Sequence, residues 1–203
     1  MIVSGRNMVK DDVKILYKKL YSSAKGNQQI LIHDIPDQRY ITFKGNGSRN
    51  IRLIRDLSGF GQLFVSFNRI RYYTVLEMMK NFTMGSIEIE WGDPQGAGND
   101  YTIMLWVPDY VTEEHLKYAM LDKLGRDDHP IDLITKPSGQ YAQYLHVGAY
   151  DDFLENAGSI KEKLIDMGYE LVGNFKEMYM NHTNINWPDQ LKIYFRQAIR
   201  KHT

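Results

Sequence analysis

Apolar positions recur along this chain with two spacings, and the switches between them mark its elements. Val9, Val13, Leu16, Tyr17 and Leu20 share one helical face, with lysines and aspartates opposite, which predicts a first helix closed by Ser22, Ala24 and Gly26. Ile30 to Ile32 reads as a short apolar strand, Pro36 and Asp37 as a turn, and Arg39 to Lys44 as the next strand. Gly45, Asn46, Gly47 and Ser48 predict a tight turn, because glycine accepts positive φ. Residues 50–61 predict a loop with a short helical piece. Leu63, Phe67, Ile70, Tyr73 and Leu76 then define a long amphipathic helix running to Asn81. Ser86 to Trp91 alternates polar and apolar as a half-buried strand does, Gly92 to Asn99 is a hairpin loop, and Tyr101 to Val107 returns until Pro108 stops it.

The second half runs through the same order. Thr112 predicts an N-cap, with Glu113 and Glu114 favoured by the dipole of the first turn. Leu116, Ala119, Met120 and Leu124 form the buried face and Gly125 the stop. Ile131 to Thr135 and Tyr141 to His146 follow as strands. Asp151 or Asp152 caps a helix faced by Phe153, Ala157, Ile160, Leu164 and Met167 and closed by Gly168. Phe175 to Met180 and Leu191 to Phe195 complete the unit. The predicted fold class is α+β: a tandem pseudo-twofold repeat of a helix-strand-strand-helix-strand-strand unit, residues 1–110 and 111–203. It predicts a largely antiparallel sheet with helices packed on one side and a central ligand cleft. Matching positions of the two units are expected to face each other across that cleft.

Composition narrows the function classes. Lys plus Arg and Asp plus Glu are both 25, so the net charge is zero and no basic footprint for direct nucleic-acid binding is present. With Cys 0, disulfides, thiol nucleophiles and thiolate metal sites are excluded. The start of the chain lacks a signal-peptide pattern, and no stretch approaches the roughly 20 apolar residues of a membrane span, which predicts a cytoplasmic protein with no membrane partner. Aromatic residues make up 12%, with Tyr 14 and Trp 3, enough to wall an apolar ligand site as well as a core.

Six short motifs in order carry a family resemblance. Leu20-Tyr-Ser-Ser-Ala-Lys-Gly26 resembles a Leu-Tyr-x-Ala-Lys opening, and Ile41-Thr-Phe-Lys-Gly-Asn-Gly47 a first strand with its glycine turn. Pro108-Asp-Tyr-Val-Thr-Glu-Glu114 is similar to a Pro-Asp-Phe-Val-Thr-Glu-Glu helix start. His146-Val-Gly-Ala-Tyr150, Lys176-Glu-Met-Tyr179 and Lys192 through Arg196-Gln197 resemble the His-x-Gly-x-Tyr, His-Glu-x-Tyr and Lys-x-x-x-Arg-Gln segments. All six resemble segments of the GyrI-like small-molecule-binding family. The resemblance implies tandem α/β repeats with a cleft between them. It implies one of three roles: binding of drug-like molecules, as in effector domains of transcription regulators; hydrolysis of cyclopropane-bearing genotoxins; or gyrase-inhibitor-type protein interaction. Too few residues precede the first matching strand for a helix-turn-helix domain, so a stand-alone module is expected. Ile87-Glu-Ile-Glu-Trp-Gly92 keeps the glutamate and first tryptophan of the hydrolase branch's Leu-Glu-Gly-Leu-Trp-Trp, but not its glycine or second tryptophan. Lys176 also stands where the family has histidine. The resemblance therefore implies binding more directly than turnover.

Glu177 and Glu88 are the candidate catalytic carboxylates. Inside an aromatic cleft one could hold a cation or position a water for attack. Trp91, Trp106, Tyr144, Tyr150 and Tyr179 are the candidate ligand-binding walls, suited to stacking and cation–π contact. Tyr179 shares strand parity with Glu177. Glu88 and Trp91 have opposite parity, so a bulge is needed to bring both into one pocket, and Glu90 is the alternative carboxylate. The alternative for Glu177 is a buried structural carboxylate bonded to tyrosine or to an arginine such as Arg196. His146 before its glycine turn reads as a structural histidine. Asp127, Asp128 and His129 are adjacent loop residues that do not converge on one ion, so neither a metal nor a cofactor is expected. The expected partner is a small-molecule ligand.

Overall fold

The computed structural model describes residues 8–21, 29–47, 49, 54, 57–92, 100–181 and 190–201. Its strands are β1 (Val9–Asp11), β2 (Leu31–Ile35), β3 (Gln38–Asn46), β4 (Lys80–Phe82), β5 (Ile87–Trp91), β6 (Asp100–Val107), β7 (Ile131–Lys136), β8 (Gly139–Gly148), β9 (Tyr169–Tyr179) and β10 (Leu191–Lys201). Its helices are α1 (Val13–Leu16), α2 (Lys18–Tyr21), α3 (Phe60–Met78), α4 (Glu113–Leu124) and α5 (Tyr150–Asp166). No helix among the described residues is long and apolar enough to cross a membrane.

Eight strands form one sheet in the order β2-β8-β10-β9-β5-β6-β3-β7, and every pairing in it is antiparallel. Strands β3, β5 and β6 of the first half lie together, as do β8, β9 and β10 of the second, and β5 against β9 joins them. The chain is thus an α+β fold on a mostly antiparallel sheet, with its long helices α3 and α5 packed on one side. The core lies between that side and α3 and α5, where Leu63, Phe67 and Ile70 of α3 and Phe153, Ile160 and Leu164 of α5 are buried. Fully burying such a side chain stabilises by about 1.5–3 kcal/mol.

Local sequence explains several boundaries. Thr112 caps α4, its hydroxyl accepting from the His115 amide while His115 Nδ1 accepts from the Thr112 amide, and Gly125 ends the helix at φ 75°. Helix α5 starts at Tyr150 with Ala149 as its N-cap, so Asp151 and Asp152 lie in its first turn instead of capping it. The single first helix expected from Val9 to Leu20 is broken. Val9–Asp11 pairs in parallel with Lys80–Phe82, and the helical remainder is interrupted at Tyr17. The long helix accordingly ends at Met78, because the next residues are taken into β4. Gly45 lies within β3, not in a turn. Its lack of a side chain serves close approach: a Cβ there would sit 2.5 Å from the Tyr101 ring. Ser48 and the 93–99 loop lie outside the described residues.

Candidate functional site

The sheet register decides which side chains can meet. Directly paired residues share a face, and neighbours along a strand alternate. Ile89 pairs with Glu177 and Glu88 with Met178, so the two glutamates lie on opposite faces of one sheet. The two carboxylates do not line one cleft. A one-residue offset between β5 and β9 separates them.

Glu177 faces the helices and is 0% exposed. Tyr179 donates to its Oε2 at 2.7 Å, from two residues further along β9. Tyr150, the first residue of α5, donates to Oε1 and Oε2 at 2.9 and 3.0 Å. Arg49 donates from Nη2 to Oε1 at 2.7 Å and from Nε to the Tyr150 oxygen at 3.3 Å. The same guanidinium lies 5.6 Å from the Trp91 ring centroid and 5.2 Å from that of Phe175. Trp91 packs edge-on against Tyr101, and its buried Nε1 has no acceptor among the described residues. Phe175 stacks on Phe195, and Lys161 Nζ stands 4.6 Å from its ring.

The electrostatics follow from burial. Tyr150 and Tyr179 are held above the ordinary phenol range, first by loss of solvent and then by the Glu177 charge beside them. Both therefore stay protonated donors. Burial opposes the charge on Arg49, but Glu177 and Tyr150 more than offset it, so its pKa rises. A groove of about 440 Å³ is lined by Trp91 and Tyr101 of this face together with Lys44, Glu90 and Thr102 of the opposite one, and Trp91 is the residue it shares with the surroundings of Glu177. That volume falls within the range of small-molecule sites, about 300–1,000 Å³.

The opposite face carries a second polar cluster. Glu88, 1% exposed, takes the Lys176 ammonium at 2.8 Å. Tyr40 donates to Gln38 Oε1 at 2.7 Å and lies 3.3 Å from both Glu88 Oε1 and Lys176 Nζ. Arg196 donates twice to Gln143 Oε1, and Gln143 in turn donates to the Leu20 carbonyl, tying the α1–α2 stretch to this face. Burial pulls the Lys176 pKa down, and Arg196 adds to the effect while Glu88 opposes it.

Of the residues singled out from sequence, Glu177, Tyr150, Tyr179 and Trp91 come together. Tyr144 is on their face, paired with Phe195, which itself pairs with Glu177. Glu88 and Trp106 are on the other face. Glu90 is there too, where it accepts from Lys136 at 2.8 and 3.0 Å. His146 hydrogen-bonds the Ala149 carbonyl in the turn it precedes and Asn156 of α5. The arginine on Glu177 is Arg49 and not Arg196. Sequence reading missed Arg49, which follows β3, and Phe175, whose parity with Glu177 and Tyr179 was a usable signal. Among the described residues, no group of three acidic or imidazole side chains is placed to hold a metal ion.

No family model and no curated protein matches the sequence. Solved structures do. A hydrolase from Listeria innocua aligns with a TM-score of 0.76 at 19% identity, over 94% of this chain and 100% of its own. An uncharacterized conserved protein from the same organism aligns with the same score, identity and coverage. The EcmrR C-terminal domain aligns with a TM-score of 0.56 at 13% identity, over 86% of this chain and 98% of its own. At these identities the likenesses show a shared fold: the chain folds as the two Listeria innocua proteins and the EcmrR C-terminal domain do.

Proposed function

We propose that the chain binds a small molecule bearing a flat, aromatic or cationic group. In this reading Glu177 is the counter-charge, Trp91, Phe175, Tyr150 and Tyr179 are the walls, and the groove beside Trp91 takes the rest of the ligand. The observation that carries the reading is the Arg49 guanidinium. A planar cation already lies within 5.6 Å of two aromatic centroids and 2.7 Å from a carboxylate that is 0% exposed. Cation–π contacts contribute about 0.5–2 kcal/mol each, more when desolvated, and the buried carboxylate adds direction. The test is a fluorescence titration with a phenanthridinium dye and with an uncharged compound of the same ring system. Glu177→Gln is expected to weaken the dye by about tenfold, equal to about 1.4 kcal/mol, and to leave the uncharged compound unchanged. Equal dye affinity in the variant would remove the reading.

A second reading is hydrolysis of a strained cyclopropane. Its support is the pair of phenols at 2.7–3.0 Å from Glu177 and the likeness to a hydrolase. Water would pass a proton to Glu177 as its oxygen bonds to a ring carbon; the ring C–C bond would break, its electron pair passing into a conjugated carbonyl of the substrate whose oxygen is held by phenol O–H groups and takes up the proton. The Arg49, Tyr150 and Tyr179 donors already engage both Glu177 oxygens, which favours binding over base catalysis in this arrangement. Under hydrolysis, Glu177→Gln abolishes turnover and spares binding. Under the first reading it weakens binding itself. Gyrase-type protein interaction has no feature among the described residues in its favour, and a pull-down with purified gyrase checks it.

A further inference from the structure

We propose that Arg49 is an internal occupant of the Glu177 site, and that the ligand class is set by what can replace it: compounds with a flat, delocalised cation of guanidinium-like shape. This inference rests on the binding reading above. Its basis is that one side chain meets all the recognition elements at once. The Arg49 guanidinium pairs with Glu177, donates to Tyr150, and lies over both Trp91 and Phe175. A cationic ligand engaging the same groups must take the space that head now fills.

The exchange is physically balanced. Glu177 is fully buried and cannot be left without a cation at small cost, because an uncompensated buried charge is strongly destabilising. Arg49 removes that cost in the free protein. Its own side chain is 22% exposed, against 0% for Glu177, so the arginine is the partner with access to solvent. When it leaves, its charge is rehydrated while the ligand's cation takes over the carboxylate. A compact, strongly hydrated ammonium matches the vacated shape less well than a planar delocalised ion.

The occupant must lower apparent affinity by the fraction of time it blocks the site. An Arg49 engaged in about nine molecules of ten weakens apparent binding about tenfold. The experiment titrates wild type, Arg49→Ala, Arg49→Gln and Glu177→Gln with the same phenanthridinium dye, and with benzamidinium as the smallest flat cation. Arg49→Gln keeps a donor without the charge, so it serves if Arg49→Ala folds poorly. A thermal melt with and without dye checks folding of each variant. The expected result is binding by wild type, roughly tenfold tighter binding by both Arg49 variants, weaker binding by Glu177→Gln, and a larger dye-induced rise in melting temperature for the Arg49 variants. If wild type binds through Glu177 but the Arg49 variants bind equally or more weakly, Arg49 is a ligand contact and the inference is overturned while the binding reading stands. If no form binds either probe, or Glu177→Gln binds as well as wild type, both fall together.

Discussion

Replacing Glu88 by glutamine separates a structural carboxylate from a functional one. The Lys176 ammonium lies 2.8 Å from Glu88, and the two side chains are 5% and 1% exposed. Glutamine keeps the size of the side chain and removes the charge, leaving an ammonium in a buried site that also feels Arg196. Breaking one partner of a buried pair costs about 3–5 kcal/mol. An independent ceiling comes from the lysine, which can shed its proton. At pH 7 that costs about 4.6 kcal/mol for a group with an ordinary pKa near 10.4. The two figures agree, so Glu88→Gln is expected to lose about 3–5 kcal/mol in urea denaturation followed by circular dichroism. The sign of the pH dependence also follows. With Lys176 neutral in the folded variant and charged when unfolded, the unfolded state binds more protons, so stability rises with pH by about 1.4 kcal/mol per unit between pH 7 and 9. Adding Lys176→Met should recover most of the loss, since methionine removes the stranded charge. A loss below about 1 kcal/mol at pH 7, or one that does not shrink at pH 9, would refute the buried-pair reasoning.

Other consequences can be checked on the same protein. Tyr40, Tyr150 and Tyr179 hold their protons above the ordinary phenol range because of burial and the neighbouring glutamates. Their contribution is therefore complete below about pH 10 and is lost as the pH climbs toward the raised folded values, by up to about 1.4 kcal/mol per unit for each tyrosine. A urea midpoint that stays flat from pH 9.5 to 11.5 contradicts this. Gly45→Ala is expected to destabilise by about 1–3 kcal/mol, because a Cβ there meets the Tyr101 ring at 2.5 Å. Pairing it with Tyr101→Leu should relieve much of the penalty, and an unchanged melting temperature for the single variant rules the clash out.

Much of the fold could be read from periodicity, because strands with one buried face display it in every second residue. Ile193 and Phe195 are buried on one face of β10, and Tyr179 with Glu177 on β9, in agreement with their shared parity. What the pattern could not supply was register between strands far apart in sequence. Glu88 and Glu177 occupy similar places in their halves, yet pairing of Ile89 with Glu177 turns them to opposite faces. The N-terminal segment shows the same limit from another side. Val9 to Asp11 has a helical pattern, but parallel pairing with Lys80–Phe82 outweighs local preference. Arg49 was hidden for a different reason: a lone arginine in a loop has no periodic signature, and only folding brings it to a carboxylate 128 positions away.

The central claim is that Glu177, and not Glu88, meets the ligand. It is tested most directly by isothermal titration of one aromatic cation into wild type, Glu177→Gln and the Glu88→Gln/Lys176→Met double variant under identical conditions. The predicted result is a loss of about tenfold or more for Glu177→Gln and wild-type affinity for the folded double variant. Undiminished binding by Glu177→Gln, or lost binding by a well-folded double variant, would contradict the account.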